Sequence, residues 1–319
     1  MTAPYHIPVL ADEVIHYLQP VPGAIHIDGT LGGGGHAQLI GERLVPGGTL
    51  VVIDRDPSAL QEAQSRLAIL SVNLISIHGN FRDIPRLLTE RNISMVDGVL
   101  LDIGVSSHMF DVPERGFSFR TDAPLDMRMD PTTGETAAEL IARSDEKELC
   151  RIFTEYGEER WAVRVARFLV DRRSREPIES TAQLVDVVMG AIPKGAQSKD
   201  IHPATRIFQA LRIAVNDELG ALQDALNGAV AMLAPGGRLA VVSYHSLEDR
   251  IVKRSFVRYS GRCECPPGLP MCFCGAKQII KIITKKPVIP CDEEIRQNPR
   301  ARSARLRVVE KLPETGGER

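Results

Sequence analysis

A chain of 319 residues can fill one large domain or two modest ones, and its 43% hydrophobic and 25% charged residues are ordinary for a globular protein. No apolar run approaches the roughly 18 to 20 residues of a membrane helix, and Met1 to Leu10 lacks a basic segment followed by an apolar one, so the chain reads as cytoplasmic with no secretory signal. The formal net charge of -2 conceals an asymmetry: Arg250 to Lys311 holds 15 Lys or Arg against 5 Asp or Glu, a basic stretch that suits a polyanionic partner such as nucleic acid, or else a solvated basic surface.

Short apolar runs alternate with amphipathic stretches through the first hundred residues. Strands are expected at Ala24 to Asp28, Thr49 to Ile53, Leu74 to Ile77 and Val96 to Ile103. Helices are expected at His36 to Leu44, from Asp56-Pro57-Ser58 onward, and at Phe81 to Arg91. Continuous apolar strands between such helices indicate a parallel sheet covered on both faces. From Ser106 to about Lys199 no strand pattern appears, and the segment reads as a helical insertion. The α/β pattern returns with one long helical stretch from Ala204 to Leu233, a turn at Ala234-Pro-Gly-Gly237 and a strand at Arg238 to Tyr244. A helix follows at Ser246 to Tyr259, opened by a Ser cap with Asp249 three residues on. Strands at Gln278 to Thr284 and Ala304 to Val309 would close the sheet. The expected organisation is therefore a nucleotide-binding part at 1–106, the insertion at 107–203, a returning part at 204–312 and a mobile tail at 313–319.

The chemistry concentrates where strands end. Asp28-Gly-Thr-Leu-Gly-Gly-Gly-Gly-His36 joins the first strand to the first helix, and a bend free of side chains lets a ligand approach the backbone there. Asp54 ends the second strand, 19 residues after Gly35, where an acid accepts hydrogen bonds from ribose hydroxyls. Asn80-Phe81 follows the third strand, where an adenine could stack, and Asp102 ends the fourth. The same parts would serve NAD, although the glycine spacing meets that fingerprint only with Ala37 in the last place. Leu233-Ala-Pro-Gly-Gly-Arg-Leu239 before the fifth strand is similar to the turn in many class I methyltransferases. With the glycine loop and Asp54 in order, it favours S-adenosylmethionine over a dinucleotide.

Longer segments resemble one family, the bacterial small-subunit ribosomal RNA methyltransferase H (MraW) family. They are His6-x-Pro-Val-Leu with Glu13, Asp28-Gly-Thr-x-Gly-x-Gly-Gly-His36, Asp54-Arg-Asp56, Asp102-x-Gly-Val-Ser-Ser107 and Arg115-Gly-Phe-Ser-Phe119. Further matches are Pro124-Leu-Asp-Met-Arg-Met-Asp130, Tyr156-Gly-Glu-Glu-Arg160, His202-Pro-Ala-Thr-Arg206, Ser246-Leu-Glu-Asp-Arg250 and Asn298-Pro-Arg-Ala-Arg-Ser303. The resemblance implies a class I S-adenosylmethionine-dependent methyltransferase, Rossmann-like, with a mostly parallel seven-stranded sheet and an inserted helical domain for substrate recognition. It implies methyl transfer to N4 of a cytosine in the decoding region of 16S ribosomal RNA, within the small ribosomal subunit. It also implies cofactor contacts at Gly34, Gly35, His36, Asp54, Phe81 and Asp102. The family usually has Gln, also at the cofactor, at the position held here by Met109, so Met109 is a further expected cofactor contact; the departure weakens any hydrogen bond assigned there, for which His108 is a candidate substitute.

Cytosine N4 is a poor nucleophile because its lone pair is delocalised, so an acceptor on one of its hydrogens would promote attack. Asp102 is the candidate acceptor, with a purely cofactor-holding role as the alternative. Asp102-Ile-Gly-Val-Ser-Ser only partly follows the Asp/Asn/Ser-Pro-Pro-aromatic pattern of DNA amino methyltransferases. Tyr244 and His245, at the end of the fifth strand, are candidate substrate contacts, and Phe117, Phe119 and Tyr244 are candidates to stack on a base taken out of its helix, with core packing as the plainer role for the two phenylalanines. Arg115, Arg120, Arg128, Arg206, Arg300 and Arg302 are candidate phosphate contacts. Cys263, Cys265, Cys272 and Cys274 could hold a structural zinc or form an unmetallated loop; the chemistry needs no metal. A DNA or small-molecule amine methyltransferase, or a non-catalytic cofactor-sensing RNA-binding module, would carry many of the same features.

Overall fold

The computed structural model describes residues 8–105, 107–197, 201–263, 265, 271, 273 and 276–313, without the side chains of residues 107 and 108. The chain begins α1 (Ala11–Leu18), β1 (Ile25–Asp28), α2 (Gly35–Leu44), β2 (Thr49–Asp54), α3 (Pro57–Leu67), β3 (Asn73–His78), α4 (Ile84–Thr89) and β4 (Val96–Asp102). Then come α5 (Ser107–Asp111), α6 (Ala137–Arg143), α7 (Glu146–Glu155), α8 (Ala162–Arg173), α9 (Thr181–Ala191) and α10 (Ala204–Asn216). It finishes with α11 (Glu218–Met232), β5 (Leu233–Ser243), α12 (Ser246–Tyr259), β6 (Ile280–Ile282), α13 (Asp292–Gln297) and β7 (Arg305–Lys311). Two compact units result: Met1–Gly104 with Leu219–Arg319, and Val105–Glu218.

The first unit is built on a seven-stranded sheet in the order β3-β2-β1-β4-β5-β7-β6, the class I methyltransferase sheet expected from sequence. Its first five strands run parallel, and β7 runs antiparallel to β5 and β6. Strand residues alternate between two cores: Ile27, Val51, Ile53, Val99 and Leu101 pack on one side, Leu50, Val52, Leu100, Ala240 and Val242 on the other. Burial on both sides is why these strands read as unbroken apolar runs. The order turns back between β1 and β4, and in open α/β sheets a ligand crevice opens at such a switch point, beyond the strands' carboxyl ends.

Local chemistry sets the helix boundaries. Asp56 caps α3 by accepting from Ser58 N, with Pro57 in the first turn. The cap of α12 differs from expectation: His245 is the N-cap residue, and Glu248, three residues on, completes a capping box, while Asp249 turns inward to Arg307 at 2.7 Å. The stretch 204–233 is two helices and not one, because Asp217 adopts a left-handed φ of 46° between α10 and α11. The Ala234–Gly237 turn bulges out of β5, whose pairing with β4 shifts register between Val96 and Gly98. The seven-residue strand expected at 278–284 is only three residues long.

The second unit is helical. Its core gathers α6 to α10 around Leu140, Phe153, Val165, Leu184 and Leu211. Buried Asn216 ties the loop before α6 to α10, accepting from Met129 N and donating to Met127 O, each at 2.7 Å. α10 thus packs with the insertion, where hydropathy alone groups it with the returning α/β part. Among the described residues, no helix is long and apolar enough to cross a membrane.

Candidate active site

Three carboxylates stand at the carboxyl ends of three adjacent strands: Asp54 on β2, Asp28 on β1 and Asp102 on β4. The glycine loop threads between them. Gly29 N donates to Leu100 O at 2.9 Å, and the Asp102 amide donates to the Thr30 hydroxyl at 2.7 Å, fastening the start of the loop to β4. Asp54 sews the middle of the loop to β2: Oδ2 accepts from Gly32 N at 2.7 Å and Oδ1 from Asp56 N at 2.8 Å. Gly34 ends the loop with φ 76° as the N-cap of α2, and a Cβ there would stand 3.0 Å from the Ala63 Cβ. Among the described residues no side chain caps α2. The first-turn N–H groups at Gly35 and His36 are therefore suited to an anionic group.

The His36 side chain turns inward. Its Nε2 lies 2.9 Å from the Val9 carbonyl, an acceptor only, so Nε2 carries the proton. Burial pushes the His36 pKa down, leaving the ring neutral and Nδ1 an acceptor. Nδ1 stands 3.5 Å from Asp102 Oδ2. Two acceptors facing each other favour a proton on the carboxyl. Burial acts the same way, raising the Asp102 pKa to about 7, with Glu248 adding repulsion and the Tyr244 hydrogen bond opposing it. The Tyr244 hydroxyl donates to Asp102 Oδ1 at 2.8 Å, and its ring lies against Gly104, where a Cβ would stand 3.1 Å from Tyr244 Cδ2 and where φ is 141°, a conformation that favours glycine. Buried Glu248 holds the turn below, accepting from Tyr244 N at 2.8 Å and His245 N at 3.2 Å. Burial likewise raises Asp28 to about 6 and raises Asp54.

These residues fit a nucleoside carrying a sulfonium and an amino acid. Carboxylates held above their ordinary pKa by partial or full burial are stabilised by a cation placed among them. Phe81 adjoins Gly29, its Cβ 3.5 Å from where a Gly29 Cβ would lie, and is half-buried beyond β3. Gly34, Gly35, His36, Asp54, Phe81 and Asp102 are thus brought together within the first unit.

Other expectations fall elsewhere. Tyr244 is Asp102's hydrogen-bond donor as well as an aromatic face, and His245 is taken up by its cap, with Nε2 3.0 Å from Glu248 Oε1. Met109 is buried in the core of the helical unit. Arg115 donates to the carbonyls of Arg128 and Met129, Arg128 pairs with Asp126 at 2.7 Å, and Arg206 donates to Glu158 O, so each is committed within the helical unit. Phe117 is core, and Phe119 packs on His202 and Phe208. Cys263 and Cys265 form no disulfide among the described residues. Cys272, Cys274, His6, Ser106 and the His108 side chain lie outside the described residues. Sequence reasoning missed the Tyr244–Asp102–His36 contact because those positions lie far apart in the chain.

Residues 3–312 match the MraW methylase family. The chain belongs to that family. It is 56% identical over 307 residues to Ribosomal RNA small subunit methyltransferase H of Geobacter sulfurreducens, covering 96% of this chain and 99% of that one. The protein of the same name from Heliobacterium modesticaldum is 52% identical (97% and 99% covered), and that from Pelobacter propionicus 53% (96% and 98%). The chain is thus a class I methyltransferase whose methyl donor is S-adenosylmethionine.

Proposed function

We propose that this enzyme methylates the exocyclic N4 amine of a decoding-region cytosine in 16S ribosomal RNA, acting in the cytoplasm on RNA of the small ribosomal subunit. Near-full-length identity to proteins named Ribosomal RNA small subunit methyltransferase H supports the RNA. The observation that carries the chemistry is the half-buried carboxyl of Asp102, held at the end of β4 by the Tyr244 hydroxyl.

The cofactor supplies a methyl group already activated on sulfur. In this reading Gly34, Gly35 and His36 hold its anionic end at the start of α2, Asp54 its ribose and Phe81 its base. The helical unit, with Met109 in its core, serves substrate recognition. The target cytosine leaves its stack to enter the site. Asp102 accepts a hydrogen bond from N4, which raises electron density on nitrogen and takes up developing positive charge. On transfer of that methyl group to N4, one N4 proton would pass to Asp102 Oδ and then to solvent. Tyr244 keeps the carboxylate oriented. The deciding experiment is mass spectrometry of small-subunit RNA from cells lacking this protein: loss of N4-methylcytidine is expected, and an unchanged level overturns the assignment.

A further inference from the structure

α12 starts at the site. Its N-cap His245 directly follows Tyr244, whose hydroxyl reaches Asp102, and the helix runs 14 residues away from there. Its charges are segregated. The helix contains two acids, Glu248 and Asp249, and both are buried. Glu248 is spent on the amides of Tyr244 and His245, and Asp249 on Arg307 at 2.7 Å and Arg305 at 3.0 Å. The four cations Arg250, Lys253, Arg254 and Arg258 are all exposed, at i, i+3, i+4 and i+8, on one face. No acid of the helix shares that face.

The contrast with the arginines first considered is physical. Arg115, Arg128 and Arg206 donate to carbonyls or a carboxylate of their own unit. Lys253, Arg254 and Arg258 project into solvent from a helix whose opposite face is core, through Val252, Ser255, Phe256 and Tyr259. Repulsion among like charges four apart destabilises a helix by a few tenths of a kcal/mol per pair, so such a face has no benefit to folding by itself. The positive surface continues past the helix: Ser260 pairs with Gln278, and Lys277 and Lys281 beside that bridge are exposed. From Lys253 to Arg258 the axis rises about 7.5 Å, which is about two steps of a stacked strand at about 3.4 Å each and so spans three phosphates.

We propose that the outer face of α12, through Lys253, Arg254 and Arg258, is the track that holds the phosphodiester backbone of the substrate RNA as it leads away from the target base. This inference rests on the ribosomal RNA reading above. It names phosphates as the ligand, so the contacts position the strand without reading its sequence.

The test is RNA binding as a function of salt, using a labelled, unmodified transcript of 16S ribosomal RNA and the full chain. A triple variant, Lys253→Gln with Arg254→Gln and Arg258→Gln, is compared with a control of equal charge change on exposed positions of the first unit away from α12, Arg43→Gln with Arg86→Gln and Arg91→Gln. Each lost phosphate contact reduces the slope of log affinity against log salt by about 0.7 for single strands, so three reduce it by about 2. Between 50 and 200 mM salt the native chain should then lose about 20-fold more affinity than the α12 variant. S-adenosylmethionine affinity by calorimetry should be unchanged in both variants, which shows that the fold and site survive. A slope in the α12 variant equal to the native one overturns the track while leaving the RNA reading intact. An equal reduction in the control overturns it too, because net charge alone would then explain the effect. Failure of the native chain to bind the transcript removes the RNA reading, and the track with it.

Discussion

Replacing Asp102 with Asn separates the acceptor role from cofactor holding. The change is nearly isosteric: an amide oxygen can still accept from the Tyr244 hydroxyl at 2.8 Å, and an amide NH₂ can donate to His36 Nδ1, 3.5 Å from the present Oδ2. The fold should be retained, with only the negative charge and proton-accepting power lost. If Asp102 accepts the N4 hydrogen bond, removing one such stabilising group should slow single-turnover methyl transfer by about 10² to 10³, or about 2.7 to 4 kcal/mol. If instead it only steadies a cation, an interaction of about 4 kcal/mol at 4 Å in a medium of effective dielectric 20 would appear in cofactor affinity, roughly a thousandfold. Single-turnover kinetics with labelled donor at saturation, alongside calorimetric affinity, distinguishes the two. The pH profile adds a second check. With Asp102 raised to about 7 and required as the carboxylate, kcat/KM of the native enzyme should climb tenfold per pH unit below 7 and level off above it, and that limb should vanish in the variant. A variant whose saturated transfer rate stays within a few-fold of native would refute the acceptor role, whatever its affinity.

Three further changes test the surroundings. Tyr244→Phe deletes the hydrogen bond that holds the Asp102 pKa down, so the midpoint of the kcat/KM profile should move above 7, with activity partly recovered at alkaline pH; an unmoved midpoint means the hydroxyl does not tune the carboxyl. Gly34→Ala places a Cβ on a residue at φ 76°, 3.0 Å from the Ala63 Cβ, and should cost about 1 to 2 kcal/mol in urea unfolding while weakening S-adenosylmethionine binding; native stability and affinity together would contradict the loop geometry. Asp249→Ala leaves Arg307, paired at 2.7 Å and mostly buried, without its carboxylate, and should destabilise the first unit by about 3 to 5 kcal/mol, a loss that a chemical denaturation midpoint will show or deny.

Much of this molecule was legible in its residues, for identifiable reasons. Strands buried on both faces leave an apolar run that admits few alternatives, and β1 to β4 lie within a residue or so of where those runs predicted them. The glycine loop, Asp54 and Asp102 were legible because each sits where a strand must end and a ligand can enter. What escaped was decided by partners distant in the chain or by backbone conformation. Nothing in the pattern of 204–233 says that Asp217 turns left-handed, and amphipathicity runs on across the break. His245 displaced Ser246 as cap because buried Glu248 could reach back to two amides, a choice settled by packing and not by intrinsic cap preference.

The arginines show the limit most clearly. A guanidinium is equally able to bind a phosphate or a backbone carbonyl, and the sequence records only that it is there. Arg115 sits in a family-like segment and is committed to two carbonyls; Arg254 sits on a helix whose acids have all turned inward, and faces solvent. Positive charge free to meet a polyanion is what remains after the folded chain has satisfied its own acceptors. It is therefore a property of the tertiary structure, and the cations of α12 acquire meaning only once Glu248 and Asp249, the acids of that helix, are seen to be buried beneath them.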